Sequence, residues 1–600
     1  MSENYFEEDE FEGAVDRSTL LRTAKLSLNH WPLLVTFLVS VTGVAVIENY
    51  QTFLSKRIID EGIVAQDPDV LWSLAMQYFG ITVVLAIGVA GFILSAAGIS
   101  HWTQYDLRTA MFEKLQTLSF TYYDRTPLGW LMSRMTSDVT RVGELVSWGF
   151  LDITWGITGI ATAVVFMFII NWQLALIVLA LIPVLIAVAI QFQKLIISEY
   201  RIVRRTNSKI TGSYSESING VRVVKSLRRE EKNLEEFQDL TGEMYRAGFR
   251  AAWLSALFLP AVQMLTALGV AATVWYGGWQ YNQGWITIGT IQAFISYITF
   301  MLWPVQEMAR VFASMQQAVA SAERIFSLLD EEPDIVDRPN AQKVDNIRGT
   351  IVFDHVDFRY EADKPVLQDF SLTVEPGETI ALVGPTGAGK STVVNLLCRF
   401  YEPVEGQIRI NGTDYQDLTL DSIHSKIGMV LQTPHLFSGT VMENIRYGRL
   451  DASDEEVVTA ARMAGAHDFI TLLDDGYATE VGEGGVLMSV GQKQLMSLAR
   501  AILAQPDIFI MDEATSSVDT LTESLIQQAM DTIMEGRTSF VIAHRLSTIK
   551  RADRIIVLKD GQIDEIGSHA ELIKQKGHYY SLYTKQFSKE QSEMIPNILA

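Results

Sequence analysis

The eight residues Gly384-Pro385-Thr386-Gly387-Ala388-Gly389-Lys390-Ser391 hold the strongest chemical signal in the chain. They fit G-x-x-x-x-G-K-[ST], with the apolar run Glu378-Thr379-Ile380-Ala381-Leu382-Val383 before them and the helix-forming Thr392-Val393-Val394-Asn395-Leu396-Leu397 after. Glycine there lets backbone N–H groups close around phosphate oxygens at a helix N-terminus, where dipole and unpaired donors favour anions. In this reading Lys390 reaches the β- and γ-phosphates and Ser391 ligates Mg2+, while Gly384, Thr386, Gly387, Ala388, Gly389 and Thr392 complete the nucleotide-binding set. A chance Gly-rich turn is the alternative, and the lysine and flanking strand argue against it. Downstream, Ile508-Phe509-Ile510-Met511 runs into Asp512-Glu513. Asp512 sits where a phosphate-loop enzyme holds Mg2+, and Glu513 is placed to polarise an attacking water. Alone, such a strand end is ordinary and solvated. Beside a phosphate loop it reads as hydrolytic chemistry.

Those groups need a scaffold. Gly349-Thr350-Ile351-Val352-Phe353 and Ser539-Phe540-Val541-Ile542-Ala543 are further β-type runs, and they alternate with helical segments. That alternation predicts an α/β domain over 349–586. The stretch 329–348 ahead of it is acidic, Pro-containing and poor in large apolar residues, so it reads as a linker.

The first half answers to a different solvent. A mean hydropathy of +0.16, with 48% hydrophobic and 20% charged residues, is too apolar for a disordered or wholly soluble chain. Its 600 residues allow about four domain-sized units. A membrane-crossing helix takes about 20 mostly apolar residues. The stretches 26–47, 70–100, 153–193 and 251–306 carry no Asp, Glu, Lys or Arg. Asn171-Trp172-Gln173 breaks the third and Gly277-Gly278 through Gly284 the fourth, so each is expected to cross twice. That predicts six spans within 21–328, all helical, because exposed irregular backbone cannot sit in lipid. Lys and Arg set the orientation: 101–145 carries five and 194–250 twelve, against only Lys56 and Arg57 in the outer loops. The positive-inside rule then puts both long loops, both termini and the α/β domain in the cytoplasm. Each long loop has a polar break, Tyr123-Asp124-Arg125-Thr126-Pro127-Leu128-Gly129 and Ser217-Ile218-Asn219-Gly220. Pro and Gly there would end one helix and start a short crosswise one, although a solvated turn fits the residue types as well.

Several classes drop out. A net charge of −22 argues against nucleic acid as the main partner, because phosphate backbones need a basic face. The first 20 residues hold seven acidic side chains against Arg17, unlike the basic start of a secretory leader, so 1–20 and 587–600 are read as tails. Cys398 is the only cysteine, which excludes a disulfide framework within the chain and Cys-rich metal sites.

Taken together, the chain resembles an ATP-binding cassette (ABC) exporter half-transporter, from about residue 20 to 585. The resemblance implies a six-span α-helical transmembrane domain fused to an α/β P-loop (RecA-like) nucleotide-binding domain with a helical subdomain. It also implies ATP and Mg2+ as ligands. By the same resemblance Tyr360 stacks on adenine, Gln432 touches Mg2+ and faces the membrane domain, and His544 contacts the γ-phosphate. Ser516-Ser517-Val518-Asp519 resembles the loop that crosses the dimer, and Thr479-Glu480-Val481-Gly482-Glu483 the segment that touches the membrane-domain loops. The two polar breaks match the family's coupling helices, which gives Thr126, Pro127, Gly129, Ser217, Asn219 and Gly220 a transmission role.

One departure matters most. The family signature is Leu-Ser-Gly-Gly-Gln, and this chain has Met488-Ser489-Val490-Gly491-Gln492. In a head-to-tail dimer, Ser489, Val490, Gly491 and Gln492 would close on ATP held by the partner. Glycine permits close approach and unusual backbone angles, whereas β-branched valine is expected to be strained at positive φ. Either the variation is tolerated or this signature is impaired. The sharper expectation is an asymmetric heterodimer with a second ABC half-transporter. Glu513 and His544 are intact, so this chain's ATP would turn over against a partner with a full signature. The impaired signature would cover a slow second site, where the partner's catalytic carboxylate is expected to be replaced.

Cargo is less specified. Trp148, Trp155, Phe294, Tyr297 and Phe300 are candidate lining for a hydrophobic or amphipathic substrate. Aromatic residues near span ends serve equally well as anchors among the membrane lipids. A homodimeric exporter of lipid or peptide stays open, as does a regulatory or channel-type protein that binds ATP without pumping. Six spans argue against a soluble mechanochemical ATPase.

Overall fold

The computed structural model describes residues 17–512, 520–543 and 546–584. They form two units: the residues up to Thr117 with Thr126–Glu331, and Leu118–Arg125 with the residues from Glu332 on. In chain order the helices up to residue 330 are α1 (Arg17–Leu28), α2 (Trp31–Val64), α3 (Pro68–Thr117), α4 (Phe120–Arg125) and α5 (Leu128–Ile170). They continue with α6 (Trp172–Asn219), α7 (Val221–Leu227), α8 (Glu230–Asn282), α9 (Ile288–Phe300) and α10 (Leu302–Asp330).

Five of these, α2, α3, α5, α6 and α8, are long and apolar enough to cross a membrane. On α3, Trp72, Met76, Phe79, Val83, Ile87 and Leu94 are all exposed, and their spacing sets them on one helical face. A face so apolar suits hydrocarbon rather than water. At 50, 48 and 53 residues, α3, α6 and α8 reach about 75 Å, more than twice the ~30 Å hydrocarbon core. Their charged thirds therefore stand outside it. The turn between α5 and α6 is a single extended residue, Asn171, whose side chain accepts from the N–H groups of Gln173 and Leu174.

The sixth expected span is divided. With 13 residues, α9 makes about 20 Å of helix, short of the core. Met301 separates it from α10, and Pro304 supplies the reason, since it has no N–H for the carbonyl of Phe300.

Two buried polar groups of this unit are well paired. The Asn49 side-chain amide donates to the carbonyls of Ala45 (2.8 Å) and Gly159 (3.2 Å), and the Asn49 main-chain carbonyl accepts from the Tyr297 hydroxyl at 3.0 Å. Asp138 on α5 is buried and accepts from Ser321 at 2.9 Å and from Arg324 at 2.9 and 2.7 Å, both on α10.

Among the described residues the second unit holds two sheets. β1 (Ile351–Glu361), β2 (Lys364–Val374), β4 (Glu405–Ile410) and β5 (Thr413–Asp414) form an antiparallel sheet in the order β2-β1-β4-β5. The larger sheet runs β10-β9-β3-β8-β7-β6, with β3 (Thr379–Val383), β6 (Ile427–Val430), β7 (Ile508–Asp512), β8 (Thr538–Ile542), β9 (Arg554–Lys559) and β10 (Gln562–Gly567). All its pairings are parallel except β9 with β10. Side chains alternate between two cores: Ile380, Leu382, Ile508, Ile510, Phe540 and Ile542 enter one, while Ala381, Val383, Phe509, Met511 and Val541 enter the other. Burial on both faces is why these strands read as unbroken apolar runs.

The stretch expected to be a linker is bonded along this unit. Gln342 N–H donates to Asp417 O (2.7 Å), Thr419 N–H to Gln342 O (3.0 Å), and Ile347 N–H and Arg348 Nε to the buried Asp507 carboxylate at 3.0 and 2.7 Å. Arg399, fully buried, donates to the carbonyls of Val336 (3.3 Å) and Leu418 (2.8 Å) and pairs with Glu402 at 2.8 Å. Replacing it, Arg399→Met, leaves those acceptors without a donor, at a cost of about 2 kcal/mol. Tryptic cleavage at Arg338, Lys343 and Arg348 should then accelerate by more than about tenfold, and an unchanged rate would show that the stretch holds without Arg399.

Candidate functional site

The phosphate loop lies between β3 and the helix α11 (Lys390–Leu397). Two of its glycines are required by geometry. Gly384 has φ 155°, and a Cβ there would meet the Leu558 carbonyl oxygen at 2.3 Å. Gly389 has φ 99°, with Leu367 Cδ2 at 2.7 Å from the same hypothetical atom. Thr386, Gly387 and Ser391 form the exposed rim, while Ala388, Lys390 and Thr392 are buried beneath it. Lys390 Nζ donates to the carbonyls of Gly384 and Pro385, both at 2.9 Å, so its ammonium is folded onto its own loop. Burial pulls its pKa below the usual lysine range, opposed by the Asp512 carboxylate.

Strand register explains how Asp512 comes to face that lysine. Leu382 of β3 and Asp512 of β7 both pair with Ile542 of β8, from opposite sides. The two lie about 10 Å apart across the sheet, at the level where β3 releases its loop. Gln432 is exposed two residues beyond the end of β6, whose Val430 pairs with Met511. The parallel sheet thus brings Lys390, Ser391, Asp512 and Gln432 to the carboxyl ends of neighbouring strands. Glu513, His544 and Ser516-Ser517-Val518-Asp519 lie outside the described residues.

Tyr360 closes one side. Its hydroxyl is 3.3 Å from Thr392 Oγ1 and accepts from Asn395 Nδ2 at 3.3 Å, which sets the ring beside the first turns of α11. One part of the ring remains exposed. Spacing alone gives no hint of this pairing, because it is made between β1 and α11, across 32 and 35 residues of sequence.

Val490 corrects an expectation. It is the first residue of the helix Val490–Ala504 and has no positive φ, so it carries no backbone strain. Ser489 caps that helix, with its Oγ accepting from Gln492 N–H (3.2 Å) and Gln492 Oε1 accepting from Ser489 N–H (2.9 Å). Gly491 is buried, and the Val490 side chain is half exposed at the helix start. What valine changes is shape, not backbone. The neighbouring 479–483 segment is held by Val441 N–H to Thr479 O and Val481 N–H to Gly439 O, both 3.0 Å.

The expected coupling residues are redistributed. Pro127, extended at φ −61° and ψ 135°, caps α5, and Thr126 and Gly129 flank it. Ser217 and Asn219 belong to the last turn of α6, Gly220 is the hinge, and the short helix α7 lies beyond them. The residues that bind are earlier, and of them only Asp124 lies within the polar break singled out by sequence. Ser119 Oγ accepts from Ile335 N–H at 3.1 Å, Phe120 packs on Phe400 at 4.5 Å, and the Asp124 carboxylate accepts from the Tyr401 hydroxyl. Aromatic residues clustered in a polar loop, Phe120, Tyr122 and Tyr123, were the available signal.

The candidate lining divides as well. Phe294 and Tyr297 are fully buried in a packed core with Ala163, Met167 and Leu174, a packing position rather than a lining one. Trp155 is half-buried, donates to Glu48 at 3.1 Å, and meets Phe300 at 5.5 Å and Trp303 at 4.7 Å. Trp148 is exposed.

Known proteins match both units. Residues 33–305 match the ABC transporter transmembrane region and residues 367–516 the ABC transporter family. An uncharacterized ABC transporter ATP-binding protein of Bacillus subtilis, YknV, is 38% identical over 557 residues, 92% of either chain. A fatty acid ABC transporter ATP-binding/permease protein of Mycobacterium tuberculosis is 43% identical over 484 residues, covering 80% of this chain and 76% of its own. An ATP-dependent lipid A-core flippase of Syntrophus aciditrophicus is 35% identical over 582 residues, 97% of this chain and 96% of its own.

The loop geometry has a direct test. Gly389→Ala places a side chain at φ 99° against Leu367, and nucleotide affinity should fall by about tenfold or more. Titration with a fluorescent ATP analogue reads this, and wild-type affinity would mean the loop is not the phosphate cradle.

Proposed function

This chain belongs to the ABC transporter family, and from that premise we propose that it is one half of a heterodimeric pump for hydrophobic or amphipathic compounds. It is a multi-pass membrane protein of the exporter type that couples ATP hydrolysis to transport. In the reading put forward here, α9 and the start of α10 serve as a sixth span. The nucleotide-binding unit and both termini face the cytoplasm of the cell membrane, as the lysines and arginines of 101–145 and 194–250 favour.

The observation that carries the reading is the buried Lys390 ammonium at a phosphate loop, level with Asp512. ATP would draw that ammonium from its own carbonyls onto the β- and γ-phosphates. Ser391, Gln432 and Asp512 are the oxygen donors that suit Mg2+, which would neutralise phosphate charge there. Glu513 would hold the attacking water, and His544 would contact the γ-phosphate. Tyr360 offers its exposed face to the adenine. Closure of two such units on ATP would re-pack the helices from inward-open to outward-open, and hydrolysis would reset them.

The cargo reading rests on the relatives named for fatty acids and for the lipid A core, both of which carry acyl chains. Trp148, Trp155 and Phe300 remain candidates to meet it. The heterodimer reading rests on Val490, a branched side chain where the family places none. One observation favours a second reading, a homodimer: the helical backbone of Val490 and the intact Ser489–Gln492 capping box leave the signature helix undistorted.

Purification of the tagged chain from its native membrane, with mass spectrometry of what accompanies it, separates the two. A second half-transporter in equal amount, with a full signature and a replaced catalytic carboxylate, is the expected result. Self-association alone would sink the heterodimer. Val490→Gly should then raise ATP turnover of the purified assembly by no more than about twofold, because both sites already work.

A further inference from the structure

Tyr360, the residue read above as the adenine platform, belongs to a cluster of three rings. Its ring meets Phe358 at 4.8 Å and Tyr401 at 5.1 Å, each at 88°, and Phe358 meets Tyr401 at 5.7 Å and 67°. Edge-to-face packing of this kind fixes each ring by its neighbours. Tyr401 is buried, yet its hydroxyl emerges from the cluster to donate to the Asp124 carboxylate on α4. Burial first, and then that hydrogen bond, push the hydroxyl's pKa up, so it stays protonated and remains a donor.

On its other side, Tyr360 is held by Asn395 and Thr392 of α11. It therefore cannot turn without moving either the phosphate-loop helix or Tyr401. The helix α4 is also pinned by Phe120 on Phe400 and by Ser119 on Ile335, but neither of those contacts involves Tyr360. Along the chain, α4 sits between the long helices α3 and α5.

We propose that Tyr401 is a positioning residue that ties the base platform Tyr360 to α4, so that a purine stacked on Tyr360 tightens the grip on α4 through one ring contact and one hydrogen bond. This rests on the reading of Tyr360 as the platform. The two ideas fail separately. Base stacking is tested by nucleotide affinity, and the link by what nucleotide does to α4.

The measurement is hydrogen–deuterium exchange of peptides covering 118–125, on the full chain in lipid nanodiscs. It is made with and without a non-hydrolysable ATP analogue and Mg2+, at concentrations that saturate each variant. In the wild-type protein the nucleotide should slow exchange there by about fivefold to tenfold, the scale of one net hydrogen bond. Tyr401→Phe keeps the ring and removes the donor, and Asp124→Ala removes the acceptor. Both should abolish the nucleotide-dependent slowing while peptides of the phosphate loop still respond.

Wild-type slowing in Tyr401→Phe would overturn the proposal. So would exchange that rises by the same factor with and without nucleotide and so keeps the nucleotide-dependent slowing, because that marks a merely structural bond. A wild-type α4 indifferent to nucleotide would overturn it too. Tyr360→Ala addresses the platform alone: undiminished ATP affinity in that variant would remove the base-stacking reading, and with it the premise of the link.

Discussion

The carboxyl ends of the parallel strands finish at one level, and the chemistry depends on that registration. Ile542 pairs with Leu382 on one side and Asp512 on the other, so a residue slip in β8 would carry the Asp512 carboxylate away from the phosphate loop. Two cores hold the register by accepting alternate side chains from every central strand. The loop glycines act within that frame. Gly384 passes so close to the Leu558 carbonyl of β9 that the loop is fixed by a neighbouring strand as much as by its own sequence.

The two units obey different solvents. In the second, apolar side chains are hidden on both sides of a sheet. In the first, large apolar residues such as Trp72, Phe79, Ile87 and Leu94 stand outward, and polar ones such as Asn49, Asp138 and Gln280 are turned in. Backbone and side-chain polar groups then find partners across helices, as Asn49 does with Gly159 and Tyr297.

Much of this was legible because it is local. A phosphate loop is eight contiguous residues, and a span is a run without charge, so both can be read from order alone. What escaped is non-local or depends on backbone angles. Uncharged residues around Pro304 looked continuous with a span, yet one missing N–H divides the helix. The bonds that hold 329–348 along the second unit are made by backbone groups and by Arg399 and Asp507, far away in sequence. Val490 looked strained because the family's glycine suggested an unusual φ, whereas the position is an ordinary first turn. Phe294 and Tyr297 looked like lining because aromatic type does not reveal which way a helix faces.

The eight residues of Leu118–Arg125 lie between helices of one unit and pack with the other. The nucleotide-binding unit is therefore not a contiguous stretch of gene. A recombination event that joined residues 332–600 to a foreign membrane region would arrive with the Phe400 ring uncovered and the Tyr401 hydroxyl without its acceptor. Descent should therefore keep the two halves of this chain together, with α4 and the 400–401 surface inherited as a matched pair.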